Sequence, residues 1–341
     1  YTGAGYAVAA VNGTSALHIS LLLAGVEKDE EVITQPVSFI ATCNAITYAG
    51  AHPVFVDVSL KTMGMCPEKL EAFLKENATR HPDGKTYNNK TGRRFAAVVP
   101  MHTFGHPCEI GRIAEICENY HIPLVEDAAE SIGSFYKGKH TGLFGKLGAI
   151  SFNGNKVITT GGGGMILTDD EELAKRAKHI TTTAKLPHRW EYRHDYTAYN
   201  YRLTNLAAAL GCGQIEQLDF FIQEKRKLVE KYKAYFADKA EITFFTEPED
   251  CRSNYWLNAV ILKDRNARDE FLQYTNDHGI MTRPIWVLSN KLDMYRGCQC
   301  GDLSNAEWLE DRVVNIPSSV IIKDYYRKIS DPQFNPYHNL V

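Results

Sequence analysis

The chain has 341 residues, 44% of them hydrophobic and 23% charged, with a formal net charge of −3. That composition describes a globular protein able to bury a sizeable core, with length for one large domain plus a smaller one. Acidic and basic residues are interspersed, unlike the basic stripe of a nucleic-acid binder, and no stretch approaches the roughly 18 uninterrupted apolar residues of a membrane span.

In chain order, "YAVAAV" (6–11) reads as a strand, followed by a helical pattern over 15–24. "EVITQ" (31–35) precedes a second helical pattern over 39–50, and "PVFVDV" (53–58) precedes a third, "CPEKLEAFLKEN". "FAAVVPM" (95–101) is a strand, "EIGRIAEICENYH" a helix, and "IPLVED" (122–127) a strand again. "LGAISF" (147–152) and "GGMILT" (163–168) are two more strands, separated by a polar turn and a run of glycines. Near-continuous apolar strands alternating with amphipathic helices predict a mostly parallel sheet covered on both faces. From 206 to about 237 the chain reads as one long helix, "FFTEPEDCRSN" reads as a linker, and the remainder mixes strands and helices in a smaller α+β domain. The expected division is a large domain over 1–215 and a small one over 216–341.

Eight cysteines are scattered without a CxxC pair, and the lone CxC of Cys298 and Cys300 lacks the second half of a zinc site. No metal is expected. Cys43, Cys117 and Cys212 lie in apolar helical patterns and are expected as small core residues. Reduced thiols and a cytoplasmic location are the expectation. Because the chain opens at Tyr1 on the run-in to a strand, upstream residues are expected as well.

In parallel sheets ligands collect beyond the carboxyl ends of the strands. Asn12-Gly13-Thr14-Ser15, Asp127 and Asn153 to Lys156 all follow strands directly. Thr14 and Ser15 open a helix, where free amides, hydroxyls and the helix dipole suit a phosphate, although a plain N-cap would look the same. Asp127 closes an apolar strand, a costly place for a carboxylate unless a cation pairs with it; a surface turn is the alternative, and neighbouring Glu126 reads as equally exposed.

The stretch "SFNGNKVITTGGGG" (151–164) fits neither GxxxxGK[ST] nor GxGxxG. Each glycine entering the strand costs about 0.5–1 kcal/mol against alanine, which points to close backbone approach by a ligand or a neighbouring chain. A lysine, an acid and a helix-capped phosphate pocket form the kit that holds pyridoxal 5'-phosphate.

The segments "VNGTSALH", "QPVSFIATCNAI", "PVFVDV", "VEDAAESIGS", "SFNGNK", "YNYRLTNLAAALG" and "NIPSS" follow one another over nearly the whole chain. In that order the sequence resembles the DegT/DnrJ/EryC1/StrS family of sugar aminotransferases. The resemblance implies the fold type I, aspartate-aminotransferase-like α/β architecture, a mostly parallel seven-stranded sheet with a smaller C-terminal α+β domain. It implies Lys156 as the lysine that bonds pyridoxal 5'-phosphate and Asp127 as partner of the ring nitrogen. Glu130 would lie near the ring hydroxyl and the substrate, with Ala129 and Phe39 on the two ring faces. Gly13, Thr14, Ser15 and Ser151 would surround the phosphate, and Asn200 would reach it from a neighbouring subunit, which requires a homodimer.

The forms "MHTFGHP", "FNGNKVITTGGGG" and "GIMTRPIW" look most like the branch acting on nucleotide-linked 4-keto-6-deoxy sugars, in particular legionaminic-acid-type enzymes. L-glutamate is the expected amino donor. His102, Asn153, His188 and Arg189 are candidate substrate contacts, the last two in the cationic and aromatic segment 184–202, and Arg283 and Trp286 are candidates from the small domain. The alternatives are a core histidine for His102, a solvated loop for 184–202 and a structural role for Arg283 and Trp286. Some relatives carry histidine in place of the lysine and act as dehydratases, which Lys156 disfavours. A non-catalytic cofactor-binding regulator is the other alternative.

Overall fold

The structure, a computed structural model, describes residues 1–320. The larger part is built on strands β1 (Tyr6–Ala10), β2 (Glu31–Thr34), β3 (His52–Phe55), β4 (Phe95–Val99), β5 (Val125–Asp127), β6 (Leu147–Ser151) and β7 (Gly164–Thr168). β3, β2 and β4 pair in parallel, and parallel bridges Val98–Leu124 and Met101–Asp127 join β4 to β5. β5 pairs in parallel with β6, while β7 runs antiparallel to both β6 and β1. The seven strands therefore lie in the order β3-β2-β4-β5-β6-β7-β1 with only β7 reversed.

β2, β4 and β6 are buried at every position, as a sheet covered on both faces requires. Successive residues point to opposite faces: Val32, Ala97 and Val125 pack under α1 (Gly13–Ala24), α2 (Ala41–Tyr48) and α5 (Glu171–Thr181). Ile33, Val98 and Leu124 pack against α3 (Pro67–Asn77) and α4 (Ile110–Asn119).

α1 begins two residues earlier than the sequence pattern suggests. Its cap is Asn12, whose side-chain oxygen accepts from the Ser15 amide at 2.7 Å, so neither Thr14 nor Ser15 is the N-cap. The expected long helix is two, α6 (Asn205–Ile215) and α7 (Leu218–Phe236). α6 is apolar yet buries no residue, and Leu206 is 87% exposed. Cys212 on this helix is exposed, correcting its expected place in the core, whereas Cys43 and Cys117 are buried.

The C-terminal part is an antiparallel sheet of β8 (Ile242–Phe244), β9 (Asn258–Leu262), β10 (Arg283–Pro284) and β11 (Val313–Ile316), in the order β8-β9-β11-β10. Residues of α7 and α8 (Arg265–Asp277) pack on it. The expected linker is not one: Cys251–Arg252 pairs with Phe135–Tyr136 of the larger part. The Asn254 side chain then donates to the carbonyls of Glu130 and Ile132 at 2.8 and 2.9 Å. Among the described residues no helix is long and apolar enough to cross a membrane, and no group of three or more His, Cys, Asp or Glu is placed to hold a metal ion.

Candidate active site

The carboxyl ends of β5 and β6 and the N-terminus of α1 open on one cleft of about 960 Å3, closed on its other side by residues of the C-terminal sheet. Of the residues expected from the sequence, Gly13, Thr14, Phe39, Asp127, Ala129, Ser151, Asn153 and Lys156 line it. Volume and mixed lining suit a cofactor together with part of a substrate.

At one end lies the first turn of α1. The amides of Gly13 and Thr14 precede the reach of any helical carbonyl, and Thr14 and Ser151, both hydroxyl-bearing, line the cleft with them. A Cβ on Gly13 would lie 2.7 Å from the Ser151 Cβ, so glycine is what lets helix and strand end converge here. This donor set fits a phosphate. Ser15 does not line the cleft: it is buried and its amide is spent on Asn12, which takes its place in the lining.

The glycine run has a local reason as well. A Cβ on Gly164 would meet the Asn12 carbonyl oxygen at 2.5 Å, so the close approach expected from a ligand or second chain comes, at that position, from this chain's own helix cap.

Asp127, 5% exposed, ends β5 at the cleft. The Thr42 hydroxyl donates to its Oδ2 at 2.6 Å and the Ala129 amide to its Oδ1 at 3.1 Å. Both bonds fix the orientation of the carboxylate at the cleft, where a cationic ring nitrogen would meet it. Phe39, 51% exposed, and Ala129 offer apolar surface on the cleft. The residues thus fit pyridoxal phosphate at both its anionic and its cationic ends.

Lys156 sits in the turn after β6, its side chain only 10% exposed. Nζ lies 3.4 Å from Glu130 Oε1 and 3.8 Å from the centre of the Trp256 ring. Glu130 is buried, and its Oε2 accepts from the Phe104 amide at 2.9 Å. Burial pushes the Glu130 carboxyl up to about 7, with the Lys156 ammonium pulling the other way. Phe104 adopts a left-handed φ of 58°, which a phenylalanine pays for in strain and which aims its amide at Glu130.

Glu126, beside Asp127, is fully buried rather than exposed. It accepts from the amides of Gly142, Phe144 and Gly145 and contacts His102 Nε2 at 3.0 Å. The other ring nitrogen of His102 accepts from the Cys108 amide at 3.2 Å. Fully enclosed, His102 cannot touch a substrate; the expected contact is corrected to a core histidine that braces the strand end.

His188 and Arg189 are exposed in the 184–202 segment and do not line this chain's cleft; neither does exposed Asn200, which bridges to Thr182. Arg283 and Trp286 do line it, Trp286 tilting against Phe39 with ring centres 6.5 Å apart. Sequence reasoning placed Asn12 at the strand end without its capping role, and it missed Trp256, Asn254 and Thr42, which carry no local signal.

A sequence profile described as the DegT/DnrJ/EryC1/StrS aminotransferase family matches residues 1–326. GDP-perosamine synthase of Escherichia coli O157:H7 is 36% identical over 313 residues, 92% of this chain and 80% of that protein. EpsN of Bacillus subtilis (strain 168), named a putative pyridoxal phosphate-dependent aminotransferase, is 35% identical over 280 residues, 82% of this chain and 69% of that one. The crystal structure of the aminotransferase TlmJ from Streptoalloteichus hindustanus superposes with a TM-score of 0.83 at 28% identity, covering 94% of this chain and 82% of that one. These matches bear out the fold type, the aminotransferase class and the pyridoxal phosphate cofactor expected from the sequence. The chain belongs to the DegT/DnrJ/EryC1/StrS aminotransferase family.

Proposed function

We propose that the protein moves an amino group from L-glutamate to the ketone of a nucleotide-linked 4-keto-6-deoxy sugar, giving a 4-amino sugar for nonulosonic-acid or surface-glycan synthesis. The observation that carries this reading is the placement of Lys156, Asp127 and the α1 N-terminus around one cleft with room left beyond them. A relative named GDP-perosamine synthase supports a nucleotide sugar as acceptor. Within that class the motifs at 101–107, 152–164 and 279–286 support the legionaminic-acid-type branch.

When bound, pyridoxal 5'-phosphate supplies an aldehyde that takes up amino groups and a ring that draws electrons from the neighbouring carbon. Lys156 would hold it through Nζ; once an incoming amine takes that place, the freed Nζ would serve as the base at the donor's α-carbon and, in the second half of the cycle, as the acid at the sugar carbon. Asp127 would pair with the protonated ring nitrogen; an ion pair at ~4 Å with an effective dielectric near 20 is worth about 4 kcal/mol. Thr14, Ser151 and the amides of Gly13 and Thr14 would hold the phosphate, with Phe39 and Ala129 on the two faces of the ring.

Residues 1–215 act in this reading as the cofactor domain, and 216 onward as the domain that closes the substrate side. The chain works as a homodimer: the unburied apolar face of α6 and exposed Trp190 and Tyr192 support a second copy there. Asn200, His188 and Arg189 then serve the partner's phosphate and nucleotide.

The test is a panel of nucleotide-linked 4-keto sugars incubated with the holoenzyme and L-glutamate, read by product mass and by 2-oxoglutarate. An amino sugar with matching 2-oxoglutarate is expected. A deoxygenated keto sugar formed with 2-oxoglutarate and free ammonia, and no amino sugar, would establish the dehydratase instead, and no turnover with any sugar would favour a regulatory protein.

A further inference from the structure

Trp256 belongs to no motif identified in the sequence, yet it touches the turn that bears Lys156 in two ways. Its indole Nε1 donates to the Asn155 carbonyl at 2.6 Å, and its ring face lies 3.8 Å from Lys156 Nζ. The tryptophan itself is fixed from behind. Its amide donates to Asn254 Oδ1 at 2.8 Å, and its carbonyl accepts from the buried Lys225 Nζ at 3.1 Å. Lys225 also donates to the Ser318 carbonyl at 2.6 Å, which ties α7 to another residue of the cleft wall. Asn254 in turn bonds the Glu130 carbonyl, so one short segment, 254–256, holds both neighbours of the lysine amine.

Resting on the proposed function, we infer that Trp256 is a positioning residue: its ring, opposite Glu130, is the seat of the Lys156 amine whenever that amine is not bonded to the cofactor. An ammonium over an indole face and beside a buried carboxylate is held by the ring quadrupole and by charge. In transamination the amine is released and must be reused within the same cycle. A seat inside the cleft keeps it near the carbon it deprotonates instead of sweeping the solvent, which preserves its effective concentration.

The test uses the cofactor-free protein. Lys156 is acylated with a small amine reagent, and its rate is compared by mass spectrometry with that of exposed Lys90 in the same sample. Trp256→Phe and Trp256→Leu both remove the indole N–H and open comparable space; they differ in whether an aromatic face remains. The expected result is slow labelling in the wild type and labelling in the Leu variant about fivefold faster than in the Phe variant, the equivalent of about 1 kcal/mol of cation–π attraction. Equal rates in the Phe and Leu variants overturn the inference. Should Trp256→Leu fail to fold, Trp256→Met carries the same comparison. Borohydride reduction of the loaded wild type reports separately on the proposed function. An adduct away from Lys156 removes both readings, whereas an adduct on Lys156 with equal labelling removes only the seat.

Discussion

Replacing Glu130 by glutamine removes a charge from the most enclosed carboxyl next to the reactive lysine and leaves its shape intact. Burial has pushed this group from 4.5 to about 7, so between those values the folded chain keeps a proton that the unfolded chain has lost. Stability from this group is complete below about 4.5 and is lost as pH rises through about 7. Carried through the linkage relation, wild type loses roughly 2–3 kcal/mol from this site between about pH 5 and about pH 8. Glu130→Gln mimics the protonated acid, still accepts from the Phe104 amide, and has no such loss. Urea midpoints of the cofactor-free proteins at a series of pH values, with equal slopes, measure the difference directly. The variant should gain on wild type by roughly 2–3 kcal/mol as pH is raised. A difference that stays flat, or wild type gaining on the variant, would refute the reasoning and mean that Lys156 outweighs the cost of burial.

Asp127→Asn should keep the cofactor bound yet slow the glutamate half-reaction in stopped-flow measurements by up to roughly a thousandfold, the rate equivalent of a 4 kcal/mol pair; an unchanged rate would reduce Asp127 to a turn residue. Gly13→Ala forces a methyl against the Ser151 Cβ and should cost about 1–3 kcal/mol by urea titration while weakening cofactor affinity. Wild-type affinity in that variant would dissociate the α1 turn from phosphate binding. Glu126→Ala strands one buried and two half-buried amides and the buried His102 ring, and should cost about 3 kcal/mol or more in the same titration. A loss below about 1 kcal/mol would show that the 142–145 loop holds itself.

The sheet was legible because its strands are short, apolar and β-branched, and because Asp127, Ser151 and the α1 entry all follow strands, where a parallel sheet gathers ligands. What the sequence hid was long-range. His102 follows a strand just as Asp127 does, and only its enclosure by Glu126 and Cys108 separates a core histidine from a substrate contact. Residues 244–254 look like a linker by composition, but two of them pair with Phe135–Tyr136 and one bolts the Glu130 backbone. The single helix expected from 206 onward breaks at 216–217, where no proline or glycine marks the place. Trp256 reads as the onset of a core strand, and nothing local ties it to a lysine 100 residues earlier.

The central claim is that Lys156 carries the cofactor. Borohydride reduction of the yellow holoenzyme, proteolysis and peptide mapping test it in one measurement. A single reduced pyridoxyl group is expected on the peptide containing Lys156. A stable adduct on another lysine, buried Lys225 of the same region included, or no adduct at all, would contradict it.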